Sequence, residues 1–281
     1  MKGYKYLALL LVIIFMLSAC TKNKSSDVDS DLPQTGLSKD TSIEELLASM
    51  TLEEKVGQMV QGARDSMPYN DVNRLWLGSV LSGGGSYPKN NTIEDWQDMI
   101  SNYQGAALST DKGIPIIYGV DAVHGLALVK GAVVFPHNIG LGAANDPELM
   151  YKMGAAVAEE MKLIRVPWNF SPCVAVNTDP RWGRTYECYS SNPDIVTKLA
   201  HAYVKGQADH GVVATAKHYV ADGGAVFGTG EGDYLIDRGD AILSEEELRN
   251  THLLPYKELV DQGVKIIMAS FSSWNGVKLH E

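Results

Sequence analysis

A polar cluster follows an apolar run in the segment ATAKHYVADGG, residues 214–224. Lys217 and His218 are neighbours, and Asp222 comes four residues after His218, directly before two glycines. A lysine, an imidazole and a carboxylate supply hydrogen-bond donors and acceptors, and an imidazole also changes its charge near neutral pH. Side chains of these types at the end of a buried strand indicate a site that binds a polar ligand.

Another polar residue, Asp121, directly follows the apolar segment 114–120. At the rim of a sheet its carboxylate could accept hydrogen bonds from two neighbouring hydroxyl groups of a ligand. It could instead cap the turn that contains Val123 and His124. His124 itself is more typical of a packed loop histidine than of a ligand contact.

The segment DPRWGRTYE, residues 179–187, contains two arginines that flank Trp182 and a glycine. A guanidinium offers directional donors to hydroxyl groups, and an indole offers an apolar face to a sugar ring. We expect Arg181 and Glu187 to hold the loop together through an ion pair or hydrogen bonds.

Five strand-like segments alternate with helix-like segments, which predicts parallel strands joined by crossover helices. Parallel strands bring the residues that follow them to one edge of the sheet, where α/β barrels and open α/β sheets bind their ligands. A closed eight-stranded barrel needs three more strands, so we expect an incomplete part of a larger barrel. The predicted strands are 79–85, 114–121, 165–172, 212–220 and 264–271.

The predicted helices have recognisable first residues. Thr51 with Glu54 has the spacing of a capping box, and so does Ser244 with Glu247. Other helices are expected to begin at an Asp or Asn followed by proline, or at a threonine. The predicted helices are 42–50, 52–61, 92–108, 146–164, 192–210 and 244–262.

The adjacent pair Lys217 and His218 conflicts with regular strand geometry. Neighbouring side chains on a strand point to opposite faces, so both can reach one ligand only if the backbone departs from β geometry. The sequence therefore predicts an irregular, or even cis, peptide bond near this pair.

Composition narrows the class of ligand. The chain has 281 residues, of which 45% are hydrophobic, and a formal net charge of −10. The length suits one large α/β domain. The negative charge argues against a nucleic-acid partner and is unfavourable for anionic substrates, so a neutral ligand fits best.

The first forty residues are expected to lie outside the folded domain. Residues 1–20 have two lysines, a short apolar run and Leu-Ser-Ala-Cys, which is typical of a lipoprotein signal peptide with lipid added to Cys20. Residues 21–40 are rich in Ser, Asp and Lys and indicate a flexible tether. This predicts membrane attachment through the lipid, in the periplasm or at the cell surface and in particular at an outer membrane. An ordinary secretory signal peptide is the alternative.

Two further cysteines, Cys173 and Cys188, bracket the arginine-containing loop. They could form a disulfide in an oxidising compartment, or they could remain two unpaired, half-buried thiols. The sequence contains neither Cys-x-x-Cys nor His-Glu-x-x-His, so no metal site is expected.

Four segments occur in order at the predicted strand ends: YGVDAVHG (118–125), DPRWGRTYE (179–187), KHYVADGG (217–224) and MASFSSWNG (268–276). Together they resemble glycoside hydrolase family 3, the exo-acting β-glucosidase and β-glucan exohydrolase type. The resemblance implies a (β/α)8 TIM-barrel-like N-terminal domain, present in part over residues 41–281. It implies no cofactor. The residues that match the family's substrate-binding positions are Asp121, Arg184, Lys217, His218 and Phe271.

The resemblance implies a retaining, exo-acting enzyme that removes terminal β-glucosyl residues from small or oligomeric β-glucosides. It leaves open whether glucose or xylose is preferred. It also places the nucleophilic Asp and the acid/base Glu after Glu281, so no catalytic residue is expected within the chain. A non-catalytic sugar-binding lipoprotein is therefore the alternative. A flavin- or phosphate-binding barrel is disfavoured, because the usual phosphate site of such barrels comes from strands seven and eight, which are not among the five predicted strands.

Two departures from the family pattern stand out. Phe271 occupies a position where glucan exohydrolases of this type usually have Tyr, so a phenol hydroxyl is missing. The loop 225–242 lacks the Asp-Ser-His motif of the N-acetylglucosaminidase branch, which disfavours that activity. The acidic residues of this loop, Glu231, Asp233 and Asp237, are expected to be solvated.

Overall fold

The structure is a computed structural model that describes residues 41–281. The predicted signal peptide (1–20), the lipidation site at Cys20 and the tether (21–40) lie outside the described residues. Within residues 41–281, no helix combines the length and the apolar character that a bilayer span requires.

Six parallel strands form one curled sheet, an incomplete TIM-barrel-like half-barrel in which consecutive strands of the sheet are neighbours. The predicted parallel α/β architecture is thus confirmed. Within the described part of the chain, the first and last of these strands are the two edges of the sheet. The strands are β1 (Gln61–Ala63), β2 (Ser79–Ser82), β3 (Ile117–Val120), β4 (Trp168–Asn169), β5 (Val213–Tyr219) and β7 (Ile266–Ala269).

The prediction of five strands missed β1. Its first residue falls within the predicted helix 52–61, but the helix Leu52–Gln58 ends three residues before the strand. A hydrogen bond from the Gly78 amide to the Gly57 carbonyl, 3.0 Å long, ties this helix end to the residue that precedes β2. A strand of three residues is too short to show an alternating pattern, so hydrophobic periodicity could not predict it.

The helices begin at the predicted capping residues. Thr51 accepts a hydrogen bond from the Glu54 amide over 3.2 Å, and the Glu54 carboxylate accepts one from the Thr51 amide over 2.7 Å. Asp146 accepts from the amides of Glu148 and Leu149. Besides Leu52–Gln58, the described helices on the periphery of the sheet are Ile43–Ser49, Tyr69–Leu75, Ile93–Leu108, Asn138–Ala144, Pro147–Leu163 and Pro193–Asp209.

The last predicted helix, 244–262, is divided into three parts. Glu245–Glu247 and Leu254–Asp261 are α-helical, and the intervening Leu248–Leu253 is a π-helix. Pro255 has no amide hydrogen and cannot close an α-helical bond to a residue four positions earlier. The wider turns lie directly before this proline, where the regular ladder of hydrogen bonds is interrupted.

A second, three-stranded sheet holds the segment that follows β7. It consists of β6 (Asp240–Ala241), β8 (Ser273–Trp274) and β9 (Val277–Lys278). The Trp274 indole nitrogen donates to the Leu243 carbonyl over 3.0 Å and anchors the segment. Strands of two residues carry no sequence pattern, and this sheet was not predicted.

The helices Pro147–Leu163 and Pro193–Asp209 pack closely because glycines lie at their contact. A β-carbon added to Gly154 would lie 2.4 Å from the Tyr203 carbonyl oxygen, and one added to Gly206 would lie 2.3 Å from that of Tyr151. Tyr203 is fully buried between helix and sheet, and its hydroxyl donates to the Ala122 carbonyl over 3.1 Å. This contact fixes the residue that follows Asp121 at the strand end.

Candidate functional site

Lys217 and His218 lie near the carboxyl end of β5, where the strand is irregular. The Lys217–His218 and Tyr219–Val220 peptide bonds are both cis, and the register with β7 shifts between Lys217 and Tyr219. The predicted departure from β geometry is therefore confirmed. Both side chains contact residues from other segments: Lys217 contacts Asp121, and His218 contacts Arg184.

Lys217 reaches across the sheet to Asp121. Its ammonium nitrogen donates to Asp121 Oδ1 over 2.8 Å, and the lysine side chain is only 5% exposed whereas that of Asp121 is 41% exposed. The buried cation therefore has a carboxylate partner, as buried charges require. Asp121 keeps one exposed side from which it can accept hydrogen bonds of a ligand.

Arg184 is held by Glu187 in a bidentate contact. Arg184 Nε and Nη2 donate to the two carboxylate oxygens of Glu187 over 2.7 and 2.8 Å. Arg181 and Glu187 both hold the loop together through ion pairs, but with other partners than each other, since Arg181 pairs with Asp179. Burial raises the pKa of Glu187, but the bonds and charge of Arg184 outweigh burial and lower it overall. A planar fork–fork contact fixes the guanidinium for directional binding.

His218 connects Arg184 with Asp222. Its Nε2 lies 3.1 Å from Arg184 Nη2, and its Nδ1 lies 2.7 Å from Asp222 Oδ2. Burial lowers the pKa of His218, but hydrogen bonds to Asp222 and Cys173 outweigh burial and raise it to about 9. A guanidinium only donates, so the Arg184 contact is a hydrogen bond only when Nε2 carries no hydrogen. In the protonated ring, Nε2–H becomes a donor that a ligand oxygen can accept.

Asp222 was placed in the polar cluster by the sequence, but its contact with the imidazole of His218 was not predicted. It is buried and follows His218 by four residues, in the turn Asp222–Gly224. The two following glycines allow this turn to pack closely. A β-carbon on Gly223 would lie 2.5 Å from the Val176 carbonyl oxygen, and one on Gly224 would lie 2.6 Å from His252 Nε2. The spacing of Asp222 from His218, followed by two glycines, was the available signal.

Phe271 lies apart from the other predicted ligand contacts. Phe271 is 67% exposed. The centre of its ring lies 5.5 Å from the Arg238 guanidinium and 6.3 Å from the centre of the His280 ring. The structure thus brings together Asp121, Arg184, Lys217 and His218, which we name the polar cage. It places Phe271 beside the second sheet.

Trp182 does not offer its face to a ligand, contrary to expectation. The residue is 3% exposed and packs with Cys173, Cys188 and Ile236 in a small apolar cluster behind the loop. Its indole nitrogen donates to Asp237 Oδ1 over 2.9 Å. Asp237 is therefore a structural anchor for the loop 225–242, and the expectation that it is simply solvated is wrong.

Cys173 and Cys188 are both free thiols, and both are buried more fully than expected. The pKa of Cys173 is lowered to about 6 by a hydrogen bond from Cys188 and, against the effect of burial, by one from His218. Ligand atoms of Cys173, His218 and Asp222 lie within 4.8 Å of one another and could hold a metal ion. Since His218 and Asp222 already bond to each other, a metal would have to replace that hydrogen bond.

The polar cage suits a neutral polyol. Each of its cations is paired with a carboxylate: Lys217 with Asp121, Arg184 with Glu187, and the protonated His218 with Asp222. Fixed donors and acceptors without excess charge can bind several hydroxyl groups at once and do not attract ions. Each carboxylate of these pairs is already bonded to a cation, so the described residues of the cage contain no unpaired carboxylate for attack on a substrate.

Comparison with known proteins identifies the family of the chain. The family model described as the glycosyl hydrolase family 3 N terminal domain matches residues 51–281. A lysosomal beta glucosidase of Dictyostelium discoideum is 28% identical over 274 residues, which cover 86% of this chain and 32% of that protein. The chain thus spans about a third of the length of this relative.

Solved structures show the same similarity. An exo-1,3/1,4-beta-glucanase from a Pseudoalteromonas species superposes with a TM-score of 0.78 at 41% identity, covering 84% of this chain and 30% of that one. A mutant beta-glucosidase from Listeria innocua in complex with laminaribiose has a TM-score of 0.68 at 25% identity, covering 85% of this chain and 34% of that one. The chain belongs to glycosyl hydrolase family 3, and it carries part of the N-terminal domain of that family.

Proposed function

We propose that the chain is the N-terminal part of a retaining, exo-acting β-glucosidase that removes terminal β-D-glucosyl residues from β-glucosides or short β-glucans. The observation that supports this most directly is the polar cage, in which Lys217 contacts Asp121 and its neighbour His218 contacts Arg184, so that groups from three segments of the chain meet near the end of β5. The cage binds the terminal ring, and a ring enclosed on several sides leaves no room for a further residue beyond it.

The relatives support glucose as the sugar. One solved relative is an exo-1,3/1,4-beta-glucanase, and another beta-glucosidase structure contains glucose. A neutral hexose presents several hydroxyl groups, and the paired charges of the cage suit them better than a phosphate or carboxylate.

The chemical step is assigned to residues after Glu281. A retaining glycosidase needs two carboxyl groups about 5–5.5 Å apart, one as nucleophile and one as acid/base. In the cage, Asp121 is bonded to Lys217 and Glu187 to Arg184, which suits these carboxylates to binding and orientation. The role of this chain in turnover is therefore to hold the terminal ring still while the following part of the enzyme acts on its glycosidic bond.

A second candidate function is non-catalytic sugar binding. The same ion pairs favour it. The carboxylates of Asp121 and Glu187 are bonded to Lys217 and Arg184, and the groups proposed to bind the sugar are already in place. The two candidates make the same prediction for sugar binding and differ in whether a longer form of the protein hydrolyses an aryl β-glucoside.

We further propose that the protein is anchored to a membrane by lipid on Cys20 and lies in the periplasm or at the cell surface, in particular at an outer membrane. The supporting feature is the sequence of residues 1–20. Metabolic labelling with a tritiated fatty acid should label the protein, and the Cys20→Ala variant should lose the label. Equal labelling of both would exclude Cys20 as the lipid site.

Glucose titration of the chain, followed by isothermal calorimetry or NMR, tests the cage. Replacing Lys217 by Ala should weaken glucose binding by about 1–3 kcal/mol, because a buried donor is lost and Asp121 is left unpaired. The matched control is Lys198→Ala, which removes an exposed lysine from the helix Pro193–Asp209. Equal glucose affinity in both variants would contradict the proposed cage.

A further inference from the structure

A cluster of three different donor groups adjoins the polar cage through His218. One ligand atom each from Cys173, His218 and Asp222 lies within 4.8 Å of the other two. Cys173 is fully buried, and the side chains of His218 and Asp222 are only 12% and 5% exposed. A thiol, an imidazole and a carboxylate are the groups from which proteins build zinc sites.

The backbone and its hydrogen bonds hold these three residues in place. Cys173 forms a parallel β-bridge with Lys217, the residue before His218. Asp222 Oδ1 accepts a hydrogen bond from the Gly223 amide over 3.1 Å, while Asp222 Oδ2 lies 2.7 Å from the imidazole. Ligands that are already oriented by such bonds lose little conformational freedom when a metal binds.

The chemistry of the three donors selects zinc among the common divalent ions. Zinc bonds of about 2.0–2.3 Å place neighbouring ligands of a tetrahedral ion roughly 3–4 Å apart, so a small contraction of the cluster suffices. Magnesium and calcium require mainly oxygen ligands, of which the cluster supplies a single carboxylate. Three protein ligands leave the fourth position of the tetrahedron to water.

The cations next to the cluster are compensated. The Arg184 guanidinium contacts the imidazole of the cluster, but it is paired in a bidentate contact with Glu187. Lys217 is paired with Asp121 in the same way that buried charges generally are. These ion pairs reduce the repulsion that a divalent cation meets, and the carboxylate of Asp222 attracts it.

A cavity of about 350 Å³ gives an ion a route to the cluster. Cys188 lines this cavity, and its thiol donates a hydrogen bond to that of Cys173. Asn177 also lines the cavity, and its buried Oδ1 accepts no hydrogen bond from the described residues. An amide oxygen of this kind accepts hydrogen bonds from water, so the cavity suits a hydrated cation.

We infer that Cys173, His218 and Asp222 form a zinc-binding site. Zinc is bound by the thiolate, one ring nitrogen and one carboxylate oxygen, and the thiol proton is released to solvent. The ligands come from two segments that are far apart along the chain. Local motifs such as Cys-x-x-Cys or His-Glu-x-x-His therefore do not reveal a site of this kind.

Bound zinc competes with the sugar for His218. It replaces the hydrogen bond of 2.7 Å between His218 and Asp222, and the imidazole leaves the position in which it lies 3.1 Å from Arg184 Nη2. The polar cage is then no longer in the arrangement that suits a sugar. This consequence rests on the proposed function, whereas the zinc site itself does not.

Metal titration of the reduced full chain tests the site. Zn²⁺ affinity is measured by competition with a chromophoric chelator, and Co²⁺ serves as a spectroscopic substitute. We expect Co²⁺ to give a thiolate-to-metal charge-transfer band in the near ultraviolet, and Mg²⁺ not to displace it. Cys173→Ser should lose this band, and Cys173→Ser and Asp222→Asn should each lower the zinc affinity by about tenfold or more.

Two control variants separate the cluster from other thiols and imidazoles. Cys188→Ser removes the neighbouring thiol and should keep the charge-transfer band. His210→Ala removes an imidazole that lies 2.7 Å from the carboxylate of Glu159, and it should leave the zinc affinity unchanged. Absence of the band in the unaltered chain would overturn the zinc site, as would a band that persists in folded Cys173→Ser.

A second titration with Zn²⁺ is made in the presence of glucose. Because coupling between two binding sites is reciprocal, glucose should weaken zinc binding by about tenfold, and zinc should weaken glucose binding by the same factor. Glucose that binds without changing the zinc affinity would overturn the competition. A chain that binds zinc but no glucose would overturn the proposed function and the competition, and the zinc site would stand.

Discussion

The two sides of the candidate site differ in how their side chains are fixed. On the side of β5 and the arginine-containing loop, Lys217, His218 and Arg184 are buried or half-buried and bonded to carboxylates. On the side that follows β7, Phe271 is exposed, and its segment is held by the second sheet through Trp274. The candidate ligand-binding groups are thus fixed by ion pairs with carboxylates, whereas the segment of Phe271 is held by the second sheet and an indole hydrogen bond.

The largest expected difference concerns the ion pairs of the arginine-containing loop. Glu187→Ala leaves the guanidinium of Arg184 without its partner, and we expect the free energy of unfolding to fall by about 3 kcal/mol. Asp179→Ala breaks the exposed pair with Arg181, and we expect a loss below about 1 kcal/mol. Urea unfolding of both variants measures this difference. Equal losses would show that Arg184 is no more dependent on its partner than a surface arginine.

The second prediction concerns the pH dependence of stability around His218 and Cys173. Folding raises the pKa of His218 from 6.5 to about 9, so its contribution is full below pH 6.5 and is lost as pH rises through about 9. Folding lowers the pKa of Cys173 from 9.0 to about 6, so its contribution is present above pH 9 and is lost as pH falls through about 6. Between pH 6.5 and 9 the two proton changes are opposite and cancel.

The unaltered chain should therefore have a nearly constant free energy of unfolding between pH 6.5 and 9. In Cys173→Ser the thiolate is lost, and with it part of what raises the pKa of His218, but the bond to Asp222 remains. Stability should therefore fall as pH rises above 6.5, by less than about 1.4 kcal/mol per pH unit. Urea unfolding at several pH values checks both. A flat profile in Cys173→Ser would show that Asp222 alone does not raise the pKa of His218.

The third prediction compares two indole hydrogen bonds. Trp182→Phe removes a bond to the carboxylate of Asp237, and we expect a loss of about 2 kcal/mol because hydrogen bonds to charged groups are the stronger ones. Trp274→Phe removes a bond to the Leu243 carbonyl, and we expect about 1 kcal/mol. Thermal or urea unfolding measures both. A larger loss at Trp274 would show that its hydrogen bond holds the segment after β7 more strongly than the Trp182 bond holds the arginine-containing loop.

The smallest expected effect is that of Phe271→Tyr. The ring is exposed and the added hydroxyl meets solvent, so the free energy of unfolding should change by less than about 0.5 kcal/mol. A change in the free energy of unfolding above about 1 kcal/mol, measured by urea unfolding, would indicate that the added hydroxyl finds a buried partner. The segment that carries Phe271 would then be more ordered than its exposure indicates.

The sequence predicted the parts of the fold that repeat a strong local pattern. The capping boxes at Thr51 and Ser244 are present, and the apolar runs that end at Asp121 and near His218 are parallel strands of one sheet. Strand β1 and the second sheet were missed, since strands of two or three residues have no periodicity to detect. The π-helix before Pro255 was missed because helix periodicity alone does not distinguish it from an α-helix.

The site was predicted as a set of residues but not as a set of bonds. Which carboxylate pairs with Arg184 depends on how the loop folds back, and both Asp179 and Glu187 were available in the sequence. The burial of Trp182 depends on its contact with Ile236, which lies more than fifty positions away along the chain. Pairings of this kind are tertiary, and neither composition nor spacing determines them.

The hydrogen bond between Trp182 and Asp237 has a practical consequence for exchanging loops between members of this family. Because it joins the segment that carries Arg184 to the segment that carries Phe227 and Tyr234, neither can be exchanged alone without leaving an orphaned indole or carboxylate. Grafts from other homologues should transplant residues 179–187 and 225–242 as one cassette.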